Sequence, residues 1–314
     1  MLLEDVDIGE PGPGELRLDI AAIGLNRADA LFRSGHYIEQ PQFPSRLGYE
    51  ASAVVDKLGE GVTGWRRGDK VSVIPGFSMS RYGVCAEQAI VPVSGVIPQP
   101  AALDAVEAAA LWMAFLTAYG ALIDIAGLGR GDSVVIPAAS SSVGLAAIQI
   151  ANSVGARPIA LTRRAAKTSA LLQAGASQVI VTEEQDVVSE VMRSTDGAGT
   201  RLVFDPVGGP GVEALLQATG RQGMLILYGN FSGQETPFPF LAAVLKGLSM
   251  RAYTVFEIIF DAPRFEAAKR FILDGLAAGR LRPTVAKTFA LEAIVEAHRY
   301  LESNEQIGKI VVTV

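Results

Sequence analysis

The first residues in this chain that could do chemistry lie between an apolar strand and an apolar-striped helix, in VIPAASSSVGLAAIQIA, residues 135–151. A dinucleotide loop writes that junction G-x-G-x-x-G. Here the six positions read Ala139, Ser140, Ser141, Ser142, Val143 and Gly144. In such a loop the first glycine makes a tight turn, the second lets backbone approach a pyrophosphate, and the third lets helix pack on strand. Gly144 keeps the third task, and Ala139 and Ser141 are the smallest replacements that carry a Cβ. Three serine hydroxyls beside the free N–H groups of a helix start can hold a phosphate. Serine is equally a preferred helix N-cap, so the loop alone names no ligand.

The next chemical signal lies about twenty residues on, where an NAD site places an acid for the ribose 2′-hydroxyl. This chain has ALTRRAAK there, with Thr162, Arg163, Arg164 and Lys167, and no acidic residue between Asp132 and Glu183. A 2′-phosphate needs cations at that position and a carboxylate would repel it. A solvated basic surface is the plainer reading, but confinement of the cluster to the ribose position points to NADPH.

The elements that must position these groups follow from composition and period. Of 314 residues, 49% are hydrophobic, 19% charged and 7% aromatic, a composition for large buried sheets in two domains. A net charge of -6 and a pI near 5.1 argue against nucleic acid as the partner. One cysteine, Cys85, excludes an intramolecular disulfide and a multi-cysteine zinc cluster; it reads as a small buried hydrophobe in a strand. The acidic start MLLEDVDIGEPGPGEL is unlike a signal peptide, and the longest apolar run, residues 108–123, reads as amphipathic or interrupted. No membrane association and a cytoplasmic location are the resulting expectations.

Before about residue 100, ELRLDIAAIGL, EASAVVDKLGEGV, GDKVSVIPG and AEQAIVPVSGVIPQP alternate apolar and polar residues between turn signals, as antiparallel strands of a small barrel do. After a helix AVEAAALWMAFLTAYGALIDIA come the apolar strands SVVIP, PIALT, QVIV, LVFD and MLILYG, separated by helices. Strands without polar alternation belong to a parallel sheet covered on both faces, here an α/β doubly wound domain. The expected division is residues 1–105 with 250–314 in a β-barrel domain, and 106–249 in a dinucleotide-binding domain.

AAIGLNRADALFRSGHY, LGYEASAVVDKLGEGVTGWRRGDKV, the loop above, FDPVGG, LYGNFSG and AHRYLESNEQIGKIVV resemble the medium-chain dehydrogenase/reductase superfamily, and within it the zinc-free quinone oxidoreductase branch. The resemblance covers essentially the whole chain. It implies a GroES-like β-barrel catalytic domain, a Rossmann domain, NADPH and a homodimer, here through the edge strand LSMRAYTV. Chains of that family usually begin with a further strand before the segment matching VDIGEPGPGEL, so the β domain is expected to lack an edge strand or to be assigned from a late start.

At the positions where zinc-dependent relatives hold catalytic zinc, this chain has Asn26, Tyr49 and Met113. An amide, a phenol and a thioether form a poor zinc site, so no metal is expected. The implied reaction is hydride addition to a quinone or an α,β-unsaturated carbonyl (an enone or enal), with charge developing on the carbonyl oxygen. The resemblance gives Tyr37 and Asn26 catalytic roles, the tyrosine as proton donor or oxyanion partner. It gives Tyr49 and Met113 to the substrate pocket, and the aromatic Trp112 suggests an apolar wall there, although helical spacing also fits ordinary core. Thr117, Gly229, Asn230, Asn304 and Lys309 join the loop and the basic cluster in holding cofactor. An enoyl thioester (acyl-CoA or acyl carrier protein) reductase shares the same hydride geometry, and a non-catalytic NADPH-binding structural or regulatory protein shares the cofactor site. Sequence leaves both open. His298 reads as structural, and His36 beside Tyr37 is left unassigned.

Overall fold

The computed structural model describes residues 1–314. The chain forms two compact units, residues 1–113 with 283–314, and residues 114–282. They are a GroES-like barrel domain and a Rossmann domain.

In the first unit a long strand β1 (Glu15–Leu25) is the hub of a seven-stranded sheet. It pairs antiparallel with β2 (Ala51–Leu58), β4 (Gln88–Pro92) and the C-terminal β13 (Lys309–Thr313). Strands β3 (Lys70–Val73) and β5 (Val96–Pro98) extend it beyond β2, and β12 (Val285–Ala290) lies parallel to β13. One chain forms so many partners because β1 is long, and a register shift between Ile20 and Ala22 lets it bend. Residues 1–14 hold no regular strand.

The second unit has a six-stranded parallel sheet. Its strands are β6 (Ser133–Ile136), β7 (Arg157–Thr162), β8 (Gln178–Val181), β9 (Thr200–Asp205), β10 (Thr219–Leu227) and β11 (Ser249–Ala252), in the order β11-β10-β9-β6-β7-β8. This is the doubly wound order, whose switch point lies between β6 and β9. Val135, Ile159, Leu161, Val203 and Leu225 fill its core with Val212, Leu215 and Leu216 of the covering helices.

Three expectations change. Residues 250–282 belong to the second unit, because β11 pairs with β10 and the helix Ala262–Ala277 stays there; the tail returns to the barrel only from residue 283. Residues 105–125 form a helical stretch long and apolar enough to cross a membrane by composition, but 83% of its most apolar window is buried within the protein. It is apolar all round, as a core helix is, rather than amphipathic. Cys85 lies just before β4, outside any strand, and burial pushes its thiol pKa well up, so it is a poor nucleophile.

Candidate active site

The cradle after β6 is built by backbone geometry first. Ala138 is held at φ 49, a left-handed conformation uncommon for a residue with a Cβ, and the turn closes with the Ser141 N–H donating to Ala138 O at 3.0 Å. Ser141 then caps the helix Ser142–Ser153, its Oγ accepting the Gly144 N–H at 3.0 Å. The N–H groups of Ser142 and Val143 have no acceptor within the helix and face the same end. Gly144 is required here: a Cβ would stand 2.5 Å from Ala139 O. The loop has lost two glycines and kept the one that its packing needs.

The basic cluster reaches this cradle. Lys167 donates to Ser140 Oγ at 3.0 Å, which brings the residues after β7 against the serines after β6. Thr162, buried at the end of β7, donates to Arg164 O at 3.3 Å and shapes the turn. Arg164 pairs with Glu183 at 3.4 Å across the surface, whereas Arg163 is exposed and makes no ion pair. Glu183, the first acid after the basic stretch, thus returns to occupy one arginine and leaves the other.

Two further loops line the carboxyl ends of the strands. Buried Asp205 accepts the Val207 N–H (2.8 Å) and the Gly208 N–H (3.0 Å), so the acid of FDPVGG builds its own turn. Burial raises its pKa and those two hydrogen bonds oppose the shift. The loop carrying Gly229 and Asn230 is stitched to it by the Phe231 N–H on Pro206 O (3.0 Å) and the Ser232 N–H on Val207 O (2.9 Å). Thr117 is buried on the helix Trp112–Tyr119, in the part that belongs to the second unit.

In the barrel unit the candidates meet around a buried ion pair. Glu50 and Lys309 are sealed from solvent and form a salt bridge. Lys309 Nζ also donates to Asn26 Oδ1 at 2.6 Å, and Glu50 accepts the Met113 N–H at 2.8 Å. The Asn26 side-chain amide donates to Gly24 O (3.0 Å) and to Glu50 (3.3 Å). Both its N–H groups are therefore turned inward, and Asn26 is a strut of the ion pair rather than a donor to substrate. Lys309 is corrected likewise: its ammonium is held inside the barrel instead of reaching out to cofactor. Trp112 is 1% exposed and packs among the buried side chains, as Tyr49 (2%) does. Asn304 sits in the left-handed turn ending the helix Ile294–Ser303, and Arg27 donates to its Oδ1.

Tyr37 and Tyr49 do come together, with ring centroids 6.1 Å apart. Their hydroxyls are in hydrogen-bonding contact, and Tyr49 donates to Glu39 Oε2 at 3.2 Å. Burial raises both phenol pKa values above the ordinary range, with the charges of Asp29 and Glu39 adding to it, so both are hydrogen-bond donors at neutral pH. On Glu39 burial acts to raise the carboxyl pKa. Hydrogen bonds from Ser78 (2.6 Å), the Met79 and Ser80 N–H groups and Tyr49 outweigh it and hold the group ionised. His36 is exposed, with Nδ1 on Ser34 Oγ.

Sequence reasoning missed Glu39, Glu50 and Asp29. One signal was available: Glu50 and Lys309 each interrupt an apolar run, YEASAVV and GKIVVTV, and opposite charges at such points are candidates for a buried pair. No cluster of three His, Cys, Asp or Glu side chains is placed to hold a metal ion.

A doubly wound sheet with a phosphate cradle, next in the chain to a barrel with paired tyrosines, defines a dinucleotide-dependent oxidoreductase. Residues 12–101 match the alcohol dehydrogenase GroES-like domain family and residues 142–273 the zinc-binding dehydrogenase family. A 2-haloacrylate reductase of Burkholderia sp. is 29% identical over 98% of this chain and 93% of its own. Quinone oxidoreductase 1 of Escherichia coli is 31% identical over 95% of this chain and 91% of its own. The structure of Escherichia coli quinone oxidoreductase complexed with NADPH superposes with a TM-score of 0.91 at 29% identity, covering 99% of this chain and 95% of that one. An NAD-dependent alcohol dehydrogenase structure superposes at 0.89 with 33% identity and the same coverage. The chain belongs to the medium-chain dehydrogenase/reductase superfamily, in its zinc-free quinone oxidoreductase-like branch.

Proposed function

We propose that this protein is an NADPH-dependent reductase that adds hydride to quinones or to the conjugated carbon of α,β-unsaturated carbonyl compounds. The observation that carries the reading is the join between cradle and basic cluster, with Lys167 on Ser140 and Arg163 unpaired beside them. The donor set fits a pyrophosphate and a 2′-phosphate: helix N–H groups, hydroxyls and cations, with the nearby Glu183 carboxylate engaged by Arg164 and Arg163 left without an ion pair. Similar structures include an NAD-dependent enzyme and one complexed with NADPH, and this charge pattern favours NADPH.

NADPH, when bound, supplies the hydride. Ser140, Ser141, Ser142, Val143 and Gly144 would cradle its pyrophosphate. Thr162, Arg163, Arg164 and Lys167 would take the ribose phosphate, and Thr117, Gly229 and Asn230 would face the nicotinamide half. Tyr37 would donate a hydrogen bond, or its proton, to the substrate oxygen where charge develops. Tyr49 backs that donor, because its own hydroxyl can turn from Glu39 toward Tyr37 as Tyr37 gives up its proton. Asn26, Glu50 and Lys309 hold the backbone on which these groups stand. The chain would act in the cytoplasm as a homodimer formed along β11. That strand is one of the two edges of its sheet, and the adjacent helix Phe240–Lys246 exposes Leu241 (70%) and Leu245 (69%).

The test is consumption of NADPH in the presence of 1,4-benzoquinone, an enone, an enal, 2-chloroacrylate and crotonyl thioester. Turnover of a quinone or unsaturated carbonyl supports the proposal, and preference for the thioester would move the assignment to enoyl thioester reduction. Tight NADPH binding with no turnover of any would overturn the enzyme reading.

A further inference from the structure

Tyr228 follows β10, and its ring stacks on Phe204 of the neighbouring β9, with centroids 4.0 Å apart and planes 19° from parallel. Since β9 lies between β10 and β6, this stacking carries the phenol across the sheet toward the loop that follows β6. The hydroxyl is buried and has no completed hydrogen bond. The group in reach of it is the side chain of Ser141, not yet aligned into a bond. Burial, with the Asp205 carboxylate adding to it, pushes the phenol pKa far up, so the hydroxyl keeps its proton at any working pH. A buried hydroxyl without a partner is destabilising, because it has given up its water and gained nothing in return. Phenylalanine would keep the stacking without that loss, which asks what the oxygen does.

Ser141 supplies the answer. Its Oγ already takes the Gly144 N–H, leaving one lone pair and one proton. We propose that Tyr228 is a positioning residue for the cofactor's pyrophosphate: its hydroxyl donates to the second lone pair of Ser141 Oγ and directs the serine proton out of the loop onto a phosphate oxygen. Binding completes the bond because the phosphate fixes the serine hydroxyl, and each donor in such a chain strengthens the next. The proposal rests on the dinucleotide reading of the cradle and not on its 2′-phosphate part.

A double-mutant cycle on binding tests it, with Tyr228→Phe, Ser141→Ala and the pair titrated calorimetrically with NADPH, 2′,5′-ADP and 2′-AMP. Tyr228→Phe is expected to weaken NADPH and 2′,5′-ADP by about five- to tenfold and to leave 2′-AMP, which has no 5′-phosphate, within about twofold. In the Ser141→Ala background the same substitution should change nothing, because both act through one contact. A folded Tyr228→Phe protein with wild-type affinity for NADPH, or effects of the two substitutions that simply add, overturns the proposal. The same cycle run with NADH, which shares the pyrophosphate, keeps the outcome readable if the preference for NADPH itself fails.

Discussion

Asp29 concentrates the residue-scale physics of the barrel. It is fully buried; one oxygen accepts the Asn26 N–H at 2.7 Å and the other has no partner. Burial pushes its pKa from 3.8 to about 7, against the Asn26 hydrogen bond and the Lys309 charge, with Glu50 adding to the rise. The folded state therefore holds this proton more tightly than the unfolded chain does. Its contribution to stability is complete below the unfolded value of 3.8 and is lost as pH rises through about 7. Asp29→Asn removes that loss, so the variant should gain on wild type between pH 4 and pH 8 by about 1–4 kcal/mol in urea unfolding. Parallel pH curves would contradict the assignment. Buried His298 slopes the other way: burial, with Arg33 adding to it, depresses it to about 4, so its contribution is lost as pH falls from 6.5 through 4. Only the difference between variant and wild type isolates Asp29. The acid in NRAD could be read in the sequence, but its full burial, and the effect of its charge on Tyr37 and Tyr49, could not, because the groups that enclose it come from other segments.

At the scale of elements, alternation of apolar and polar residues located β1, and unbroken apolar runs located β6 to β9, since those patterns reflect one or two covered faces directly. The first half of β10, TGRQG, carries no such pattern and was not legible as strand. Nor was the boundary at residue 283, because β11 stays in the Rossmann sheet through pairing with β10 rather than through any change in composition. The phosphate loop was legible as a cradle, yet the strain at Ala138 and the reach of Lys167 needed the structure. Lys309 opens the last strand, and its pairing with Glu50 ties that strand to the start of β2 and, through the Met113 N–H, to the following helix. Lys309→Met strands a buried carboxylate, so a loss of about 3–5 kcal/mol in unfolding free energy is expected, with much of it restored by Glu50→Gln in the same chain. A loss below about 1 kcal/mol would mean that the pair is solvated in solution.

At the scale of the whole molecule, β11 leaves one edge of its sheet open. If β11 and the helix beside it meet a second copy, Leu241→Asp with Leu245→Asp should convert a dimer into a monomer in sedimentation, while NADPH still binds. A wild-type monomer would remove the interface. The central claim is the choice of cofactor by the cluster after β7, and it is tested most directly by titrating NADPH and NADH into wild type and into Arg163→Ala with Arg164→Ala. Wild type should prefer NADPH, and the double variant should lose about 1.5–3 kcal/mol of NADPH binding per lost contact with NADH unchanged. Arg163, which has no ion pair, should account for more of that loss than Arg164, which is shared with Glu183. Equal losses for both nucleotides, or a wild type that prefers NADH, would contradict the account.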